Sequence, residues 1–409
     1  MDKTRLKIKH VSIILKKELV NILEFLRLKD FFRKRMENNN PVFKETLEID
    51  YNRSSIFVLP NIPWSYRWQR PQQIFSRLSN KGFNIFYISP LTCDKEYISK
   101  IENNIYEIHL KTTTTGNVLR DFHLDNKNTD DFVRSFKRLL NKYIKEDSLL
   151  FILHPVWKDV AFGIEGIRRV YDLMDLYSGF PDAKEELVKA EEELICKSDV
   201  VITTAEGLYD NAKILNKNVY MIRNGSDYEK FSNLKKNGVL DCLEEKPIIG
   251  YFGAINDWLD FDLMEYVIKE NKDKYFIFIG SISSKNVRKF YKYSNVYFIG
   301  EVSHNDLPGY LAYFDVCTIP FVLNDLIKNT NPVKFYEYIA SGKPVVSVDL
   351  PELSRHSDIC YLSENKEEFS KDIFKALHDE NKEVIEKRKL VAKENTWDNR
   401  VEELIKIIK

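Results

Sequence analysis

The stretch NTNPVKFYEYIASGKPVV, residues 329–346, carries the pattern on which both the fold and the function depend. Asn331 is a residue type that often caps helices, and Pro332 is tolerated in a first helical turn, so a helix is predicted to begin there. Gly342 predicts the end of that helix, and the apolar run Val345–Val348 predicts a buried strand directly after it. A short helix that leads straight into a buried strand is typical of an α/β sheet domain.

The start of this helix is predicted to form an anion site. It follows the apolar run 316–320 and a loop, and the backbone N–H groups and positive dipole end of a helix attract groups such as a diphosphate. Lys334 lies in the first turn, where a cation is unfavourable unless an anion is bound. Glu337 lies one turn further along, where a carboxylate can accept hydrogen bonds from the vicinal hydroxyls of a ribose.

Short apolar runs alternate with segments of helical periodicity on both sides of this stretch. Such runs indicate buried parallel strands of a doubly wound α/β sheet. The predicted strands are residues 55–59, 83–89, 149–154, 169–173, 200–204 and 219–222, then 248–252, 275–279, 296–299, 316–320 and 345–348. The charged stretch 235–246 separates the two series, so a boundary between two Rossmann-like domains is expected at about residues 230–246. Ligands are expected at the carboxyl ends of the strands, in a cleft between the domains.

The N-terminal segment differs from the rest of the chain. Residues 1–37 carry eleven Lys or Arg and five acidic residues, with apolar residues spaced along one helix face. A basic amphipathic helix of this kind can lie on an anionic membrane surface. The alternative is a helix that packs on its own domain or on a second subunit.

The composition excludes several classes of protein. Lys plus Arg and Asp plus Glu both number 62, so no net field gathers nucleic acid, and no apolar stretch is long enough to span a membrane. The five cysteines are scattered, without metal-ligand spacing, which fits a cytoplasmic protein that is either free or peripheral at the inner face of the membrane. Asp260 and Asp262 imitate a metal-binding DxD pair, but they open a predicted helix where acids favour the dipole. No metal or other cofactor is expected.

The stretch 329–346 closely resembles the motif of family-4 glycosyltransferases with the GT-B fold, and the resemblance covers about residues 54–405. In that family two glutamates flank the helix start. Glu337 matches the second, which generally binds the nucleotide ribose, whereas Asn329 stands at the place of the first, which contacts the donor sugar. The resemblance implies an acceptor domain over residues 46–234 and a nucleotide-sugar domain over 235–381. These follow the helical extension 1–45 and precede a C-terminal helical segment, 382–409, that is expected to pack back on the first domain.

The stretch IIGYFGAINDW, residues 248–258, is similar to the strand and glycine turn beside the donor diphosphate in that family. Gly253 would let the backbone approach a phosphate or sugar. Most members have an arginine and a lysine after this strand, where Ala254 and Asp260 stand here. The clamp on the diphosphate is therefore expected from Lys334, from backbone amides, or from Arg70 across the cleft. The implied donor-binding residues are Gly253, Ala254, Asn331, Val333, Lys334 and Glu337.

Three further stretches resemble the branch that builds teichuronic acid and other cell-surface polysaccharides, namely residues 68–73, 171–175 and 224–227. Arg70 is predicted to contact donor phosphate or acceptor, and the alternative is a surface arginine or an arginine in a buried ion pair. Asp172, Asp175 and Asn329 are the predicted catalytic residues, with a carboxylate stabilising developing positive charge or orienting the acceptor hydroxyl. The alternative for the two aspartates is a helix cap or a solvated loop. His154, before a proline, is interpreted as structural.

The predicted function is transfer of a sugar from a nucleoside-diphosphate sugar to a hydroxyl of a lipid-linked or growing cell-surface glycan. The resemblance implies retention of anomeric configuration. One alternative is another enzyme on the same fold, such as a nucleotide-sugar epimerase. The second is a GT-B subunit that binds nucleotide sugar or a partner with weak or no turnover, suggested by Asn329 and by the missing Arg/Lys clamp.

Overall fold

The computed structural model describes residues 49–112, 116–121, 126–180, 183–243 and 245–409, and the basic extension predicted over residues 1–45 lies outside them. The described chain forms two compact units. The N-terminal unit comprises the described residues up to Asn224, together with Asn329–Asn331 and Trp397–Lys409. The C-terminal unit comprises Gly225–Lys328 and Pro332–Thr396.

The division after Asn224 lies earlier in the chain than the boundary expected at residues 230–246. The cause is the apolar side chains of this connecting segment. Phe231, Leu240 and Leu243 are fully buried in the hydrophobic core of the C-terminal unit. Burial of that much apolar surface fixes the segment to the unit that supplies the core.

The N-terminal unit is built on an eight-stranded sheet in the order β3-β4-β2-β1-β5-β6-β7-β8. All neighbouring pairs are parallel except β3 and β4. The strands are β1 Ser54–Leu59, β2 Phe83–Ile88, β3 Tyr97–Glu102, β4 Ile105–His109, β5 Leu149–Ile152, β6 Arg168–Leu173, β7 Val200–Thr203 and β8 Val219–Met221. The six strands predicted for this half are all present.

The antiparallel pair β3 and β4 at the sheet edge is missing from the sequence prediction. No residue of β3 is fully buried, so its sequence YISKIE shows no continuous apolar run. The strand β4 is fully buried, but it includes Glu107 and His109, which pair with each other at 3.3 Å. Polar residues that satisfy one another inside the sheet conceal such a strand from a search for apolar runs.

The C-terminal unit is built on a six-stranded parallel sheet in the order β11-β10-β9-β12-β13-β14. The strands are β9 Ile248–Phe252, β10 Tyr275–Ile279, β11 Val296–Gly300, β12 Val316–Ile319, β13 Val345–Val348 and β14 Tyr361–Ser363. The first five are predicted from the sequence, and the short edge strand β14 is not. The strand order reverses between β9 and β12, which makes their carboxyl ends the place where an open α/β sheet binds ligands.

Helices accompany both sheets. In the N-terminal unit they are α1 Arg70–Asn80, α2 Val118–Asp121, α3 Asn126–Tyr143, α4 Lys158–Gly163, α5 Glu185–Lys197, α6 Glu206–Leu215 and α14 Trp397–Ile408. In the C-terminal unit they are α7 Tyr228–Ser232, α8 Phe261–Glu270, α9 Leu307–Leu311, α10 Asp325–Lys328, α11 Val333–Ala340, α12 Lys366–Leu377 and α13 Lys382–Glu394. None of the helices in the described part of the chain has the length and apolar character needed to span a membrane.

The C-terminal segment 382–409 divides between the units instead of packing as one piece on the N-terminal domain. Helix α13 lies in the C-terminal unit, where the buried Arg388 donates to the Ile359 carbonyl oxygen at 2.8 Å and to the Gly342 carbonyl oxygen at 3.4 Å. Helix α14 lies in the N-terminal unit beside α1, and Asp398 accepts a hydrogen bond from Arg77 at 3.1 Å. The prediction that all of residues 382–409 pack on the N-terminal domain is therefore wrong for α13, because Arg388 on this helix is hydrogen-bonded to the backbone of the C-terminal unit.

Candidate functional site

Helix α11 begins where the sequence predicts, but a different residue caps it. The N-cap residue is Pro332, which has no side-chain oxygen, and its carbonyl accepts from the Phe335 N–H at 3.1 Å. Asn331 accepts instead from the Asn224 N–H at 2.9 Å through its side-chain oxygen, and its carbonyl oxygen accepts from the Asn224 side chain at 2.6 Å. The predicted cap role of Asn331 is therefore wrong, because both of these oxygens bind Asn224 in the N-terminal unit.

Lys334, in the first turn of α11, holds its ammonium group between two aromatic rings. The Nζ atom lies 5.2 Å from the centre of the Tyr251 ring and 4.5 Å from that of Phe321. No hydrogen bond or ion pair reaches this amine from the described residues. Burial lowers the pKa of Lys334 from 10.5 to about 8, although the negative charge of Glu337 acts in the opposite direction. The site thus holds a cation without an anion at a helix N-terminus.

The glycine turn after β9 lies directly beside this lysine. Gly253 has φ +133°, and a Cβ atom at this position would lie 3.0 Å from Cε of Lys334. Gly280 follows β10 with φ +146°, and a Cβ there would lie 2.0 Å from the Gly253 carbonyl oxygen. Both positions therefore require glycine. The predicted neighbours Gly253 and Lys334 are brought together, and Gly280 is a further member of the turn that the strand-then-glycine pattern after 275–279 could have indicated.

Ala254, the next residue, has its carbonyl group occupied. That oxygen accepts from the Tyr251 hydroxyl at 3.0 Å and from the Trp258 indole N–H at 3.1 Å. These two bonds fix the turn that follows β9. On the other side of the turn, the Phe252 N–H donates to the Tyr338 hydroxyl at 3.0 Å, which ties helix α11 to the end of β9.

Glu337 is buried, and its partner is a residue that the sequence analysis misses. Its Oε1 atom lies 3.0 Å from Nε2 of His304, which is in the loop after β11. The His304 Nδ1 atom lies 3.2 Å from Nζ of Lys230 on α7. Nothing local in the sequence connects positions 230, 304 and 337. Their only detectable signal is that His304 follows a strand of a parallel sheet.

Arg70 and Asp172 pair with each other in the N-terminal unit. Arg70 Nε donates to Asp172 Oδ2 at 3.0 Å, and Nη2 donates to Oδ1 at 2.9 Å, which is a bidentate pair. Nη1 donates to the Asn224 side chain at 3.2 Å and to the Arg223 carbonyl at 3.4 Å. Both members of the pair are only about 5% exposed. The structure thus favours the ion-pair alternative for Arg70 and gives Asp172 the same structural role.

Asp175, three residues further along, has no hydrogen-bond or ion-pair partner among the described residues. Burial, together with the nearby charge of Asp172, raises the pKa of Asp175 from 3.8 to about 6. Glu191 on α5 has a pKa raised to about 7, mainly by burial, and accepts from the Tyr177 N–H at 3.4 Å. The fully buried Tyr171 hydroxyl also has no hydrogen-bond partner in the described chain. Of the two predicted catalytic carboxylates, Asp172 is paired with Arg70, and Asp175 is the one without a partner among the described residues.

Asn329 lies against the first turn of helix α6. Its side-chain oxygen is 2.0 Å from the position that a Cβ atom on Gly207 would occupy. This contact lies within the N-terminal unit, to which residues Asn329–Asn331 belong. The predicted sugar-contacting amide is thus packed on a helix start.

The remaining candidates have structural partners. His154 is buried, its Nδ1 atom accepts from the Val156 N–H at 3.1 Å, and burial lowers its pKa to about 3. Asp260 caps helix α8 by accepting from the N–H groups of Asp262 and Leu263 at 3.1 Å and 2.8 Å. The Asp262 carboxylate pairs with Lys289. These two aspartates therefore serve the helix start and a surface ion pair.

Comparison with solved structures identifies the fold. The sucrose-phosphate synthase of Thermosynechococcus elongatus superposes with a TM-score of 0.69 at 14% identity, covering 87% of this chain and 98% of that one. The α,α-trehalose 6-phosphate synthase of Burkholderia multivorans gives a TM-score of 0.64 at 10% identity, covering 87% and 98%. Residues 246–379 match the family model described as glycosyl transferases group 1. The chain thus has the GT-B fold, and its residues 246–379 are similar to the group 1 glycosyl transferases.

One curated protein is similar to this chain in sequence. The putative teichuronic acid biosynthesis glycosyltransferase TuaH of Bacillus subtilis (strain 168) is 24% identical over 204 residues. The match covers 46% of this chain and 51% of the relative, so the chain spans about half the length of the curated relative that it matches. Apart from Asn329–Asn331, the residues that match the family model lie in the C-terminal unit, and they include Gly253, Lys334 and Glu337.

Proposed function

We propose that the protein transfers a glycosyl group from a nucleoside-diphosphate sugar to a hydroxyl of a lipid-linked or growing cell-surface glycan. The observation that carries the proposal is Lys334, an ammonium group without an anionic partner in the described chain, beside the Gly253 turn and in the first turn of α11. A diphosphate supplies the missing anion, and the N–H groups of the helix start add further donors. The likeness to TuaH, itself named a putative teichuronic acid glycosyltransferase, supports a surface glycan as acceptor.

The proposed donor contacts follow the order of groups along a nucleoside-diphosphate sugar. Lys334 and the backbone at Val333 bind the diphosphate, and Gly253 allows the chain to approach it closely. Glu337 accepts hydrogen bonds from the ribose hydroxyls. We further propose that Lys334 and the helix start supply the positive charge that a metal ion supplies in other transferases, so that donor turnover persists in EDTA.

The proposed reaction retains anomeric configuration by front-face substitution. The bond from the anomeric carbon to the phosphate oxygen breaks as the bond from that carbon to the acceptor oxygen forms, and the acceptor proton passes to the leaving diphosphate. In the N-terminal unit, Asp175 is the carboxylate proposed to orient the acceptor hydroxyl as the acceptor binds, before the hydroxyl proton turns to the leaving diphosphate oxygen. Positioning and charge stabilisation then supply most of the rate.

A second candidate is a subunit that binds nucleotide sugar but has weak or no turnover. The observation that favours it is Asn329, an amide packed on Gly207 at the position where the resembled family has a glutamate. A carboxylate at that position carries charge, and an amide does not.

A binding screen followed by a turnover assay separates the two candidates. Thermal shifts are measured with UDP, GDP, ADP and CDP and with their common sugars, since a ligand at 100 times its Kd stabilises by about 2.7 kcal/mol. Release of nucleoside diphosphate is then measured with and without membrane extract, with Glu337→Ala as the control. Binding with acceptor-dependent release supports the transferase, and binding without any release supports the inactive subunit. If no nucleotide or nucleotide sugar binds, both candidates are wrong.

We also propose that the protein acts at the cytoplasmic face of the membrane, where residues 1–37 bind anionic lipid through their basic residues. The test is co-sedimentation with vesicles that contain anionic lipid. Deletion of residues 1–37 is expected to abolish the association, and unchanged association contradicts the proposal.

A further inference from the structure

Three side chains of the C-terminal unit form a continuous hydrogen-bonded chain that ends on Glu337. Lys230 on α7 reaches Nδ1 of His304 at 3.2 Å, and Nε2 of His304 reaches Oε1 of Glu337 at 3.0 Å. His304 lies in the loop after β11, and its ring packs edge-to-face with the Phe231 ring, with 5.5 Å between the ring centres. Three separate elements of the fold therefore converge on one carboxylate.

The chemistry of the chain fixes which nitrogen of His304 carries the proton. A charged lysine can only donate, so Nδ1 of His304 must accept, and the ring proton of the neutral imidazole resides on Nε2. That proton is then donated to Glu337. The Lys230 ammonium also donates to Asn305 Oδ1 at 3.1 Å and lies 3.3 Å from Asp227 Oδ2. Its three N–H groups thus have three acceptors, which holds the lysine in the orientation that His304 needs.

The hydrogen-bonded series Lys230–His304–Glu337 engages the Oε1 atom of Glu337 and leaves its Oε2 atom available. Within the described residues, no further hydrogen bond or ion pair reaches this carboxylate. A carboxylate has about four acceptor sites on its two oxygens, so a bond to Oε1 still leaves capacity for two hydroxyl groups. A partner that holds one oxygen fixes the plane of the carboxylate without filling it, as outer partners do for metal-binding histidines.

We propose that His304 is a positioning residue that orients the Glu337 carboxylate toward a vicinal diol and makes the site selective for ribonucleotides over 2′-deoxyribonucleotides. The inference rests on the proposed function, because it assigns the ribose of the donor to Glu337. Two adjacent hydroxyls match the two oxygens of an oriented carboxylate, whereas a 2′-deoxy sugar leaves one acceptor unpaired. A site that is built to bind a hydroxyl rejects the analogue that lacks it.

The test uses the full-length protein, UDP, GDP, ADP and CDP, and their 2′-deoxy forms, with Kd measured by calorimetry. Wild type is expected to bind its preferred ribonucleoside diphosphate at least about tenfold more tightly than the 2′-deoxy form, as expected for a hydrogen bond to a charged group. His304→Leu is expected to bring the two Kd values close together, because it weakens binding of the ribonucleotide and leaves binding of the 2′-deoxy form unchanged. His304→Gln places an amide N–H near the Nε2 position and is expected to restore the ratio, whereas the shorter His304→Asn is not.

Two further variants test the contribution of Lys230 and supply a control. Lys230→Met frees Nδ1 of His304 to carry the proton, so that Nε2 no longer donates reliably, and part of the ratio is expected to be lost. His378→Leu, on an exposed histidine of the same unit, is expected to change nothing. In the turnover assay, His304→Leu is expected to raise KM for the donor more than it lowers kcat.

The outcomes separate this inference from the proposed function. If Glu337→Ala abolishes the ribo preference and His304→Leu leaves it intact, the positioning role of His304 is wrong and the donor site stands. If wild type shows no ribo preference, the inference is also wrong. If Glu337→Ala changes neither affinity nor preference, or if no nucleoside diphosphate binds, the donor assignment itself fails. Rescue by His304→Gln, but not by His304→Asn, would support the inference even if His304→Leu proved poorly folded.

Discussion

Two cations near the carboxyl ends of strands, Arg70 in the N-terminal unit and Lys334 in the C-terminal unit, have opposite surroundings. Every side-chain nitrogen of Arg70 donates to an acceptor, including both oxygens of Asp172. Lys334 has two aromatic rings and a glycine turn around it and no anion from the described chain. A buried cation whose donors are all engaged cannot be removed without leaving its partners uncompensated, whereas one that is held without an anion costs stability and remains available to a ligand.

The largest expected effect is on the stability of the N-terminal unit. Arg70→Met removes one member of a buried pair and leaves the Asp172 carboxylate uncompensated, which is expected to cost about 3–5 kcal/mol. Tryptophan fluorescence during urea unfolding suits the measurement, because Trp64, Trp157 and Trp397 belong to that unit. Lys81, the residue directly after α1, forms an exposed pair with Glu402 of α14; Lys81→Met breaks this pair, is the control, and should cost less than about 1 kcal/mol. Equal effects would mean that the buried pair has no special role.

Lys334→Met is expected to act in the opposite direction on stability. The folded-state pKa of about 8 lies below the ordinary 10.5, so the protonated amine is disfavoured by folding at pH 7, and the penalty is relieved only as pH rises from about 8 to 10.5. Removing the amine should therefore stabilise the C-terminal unit by about 1–3 kcal/mol at pH 7. Calorimetric unfolding at pH 7 measures this difference.

The same variant is expected to weaken binding of a nucleoside diphosphate by about 10- to 100-fold, because it loses a charged donor to phosphate. Lys343→Met is a matched control, since Lys343 is a second lysine with a lowered pKa, located after the other end of α11. A Lys334→Met protein that is less stable and still binds normally would show that the amine is a structural group.

Binding of the diphosphate should depend on pH through the titration of Lys334. Bound phosphate favours the charged amine and raises its pKa, so binding at pH 8 to 9 takes up a proton. Affinity is expected to fall about tenfold per pH unit above about pH 8, and Lys334→Met should show a flat profile between pH 7.5 and 9.5. Calorimetry in buffers of different ionisation enthalpy counts the protons. Proton release in place of uptake would contradict the assignment.

The same contrast explains how far sequence can predict this molecule. Continuous apolar runs correctly predict the buried strands, and the predicted neighbours Gly253 and Lys334 do meet, because each follows the carboxyl end of one of two adjacent strands. The pairing of Arg70 with Asp172 and of His304 with Glu337 is different in kind. These partners are 102 and 33 residues apart, and no local period or cap signal selects one partner over another.

The capping error at Asn331 has the same origin. Its residue type fits a helix cap, and Asn224, which is 107 residues away in the chain, engages both its side-chain and its carbonyl oxygen. Local preference is a weak guide wherever a distant polar group competes for the same atoms. The residues left without such a competitor, Lys334 and Asp175, are those for which a role in ligand binding or catalysis is still open.

Asp175 is the acidic counterpart of Lys334. The smallest expected effect is that of replacing Asp175 on the stability of the N-terminal unit. Its pKa of about 6 lies above the ordinary 3.8, so folding disfavours the carboxylate, and its contribution to stability falls as pH rises from about 4 through 6. Asp175→Asn should stabilise the N-terminal unit by about 1–2 kcal/mol at pH 8 and by almost nothing at pH 4, while lowering transfer activity at least about tenfold. Asp210→Asn, on an exposed aspartate of α6, is the control for both measurements. If Asp175→Asn destabilised the unit and left transfer unchanged, the carboxylate would be a structural partner like Asp172, and the acceptor role proposed for it would be wrong.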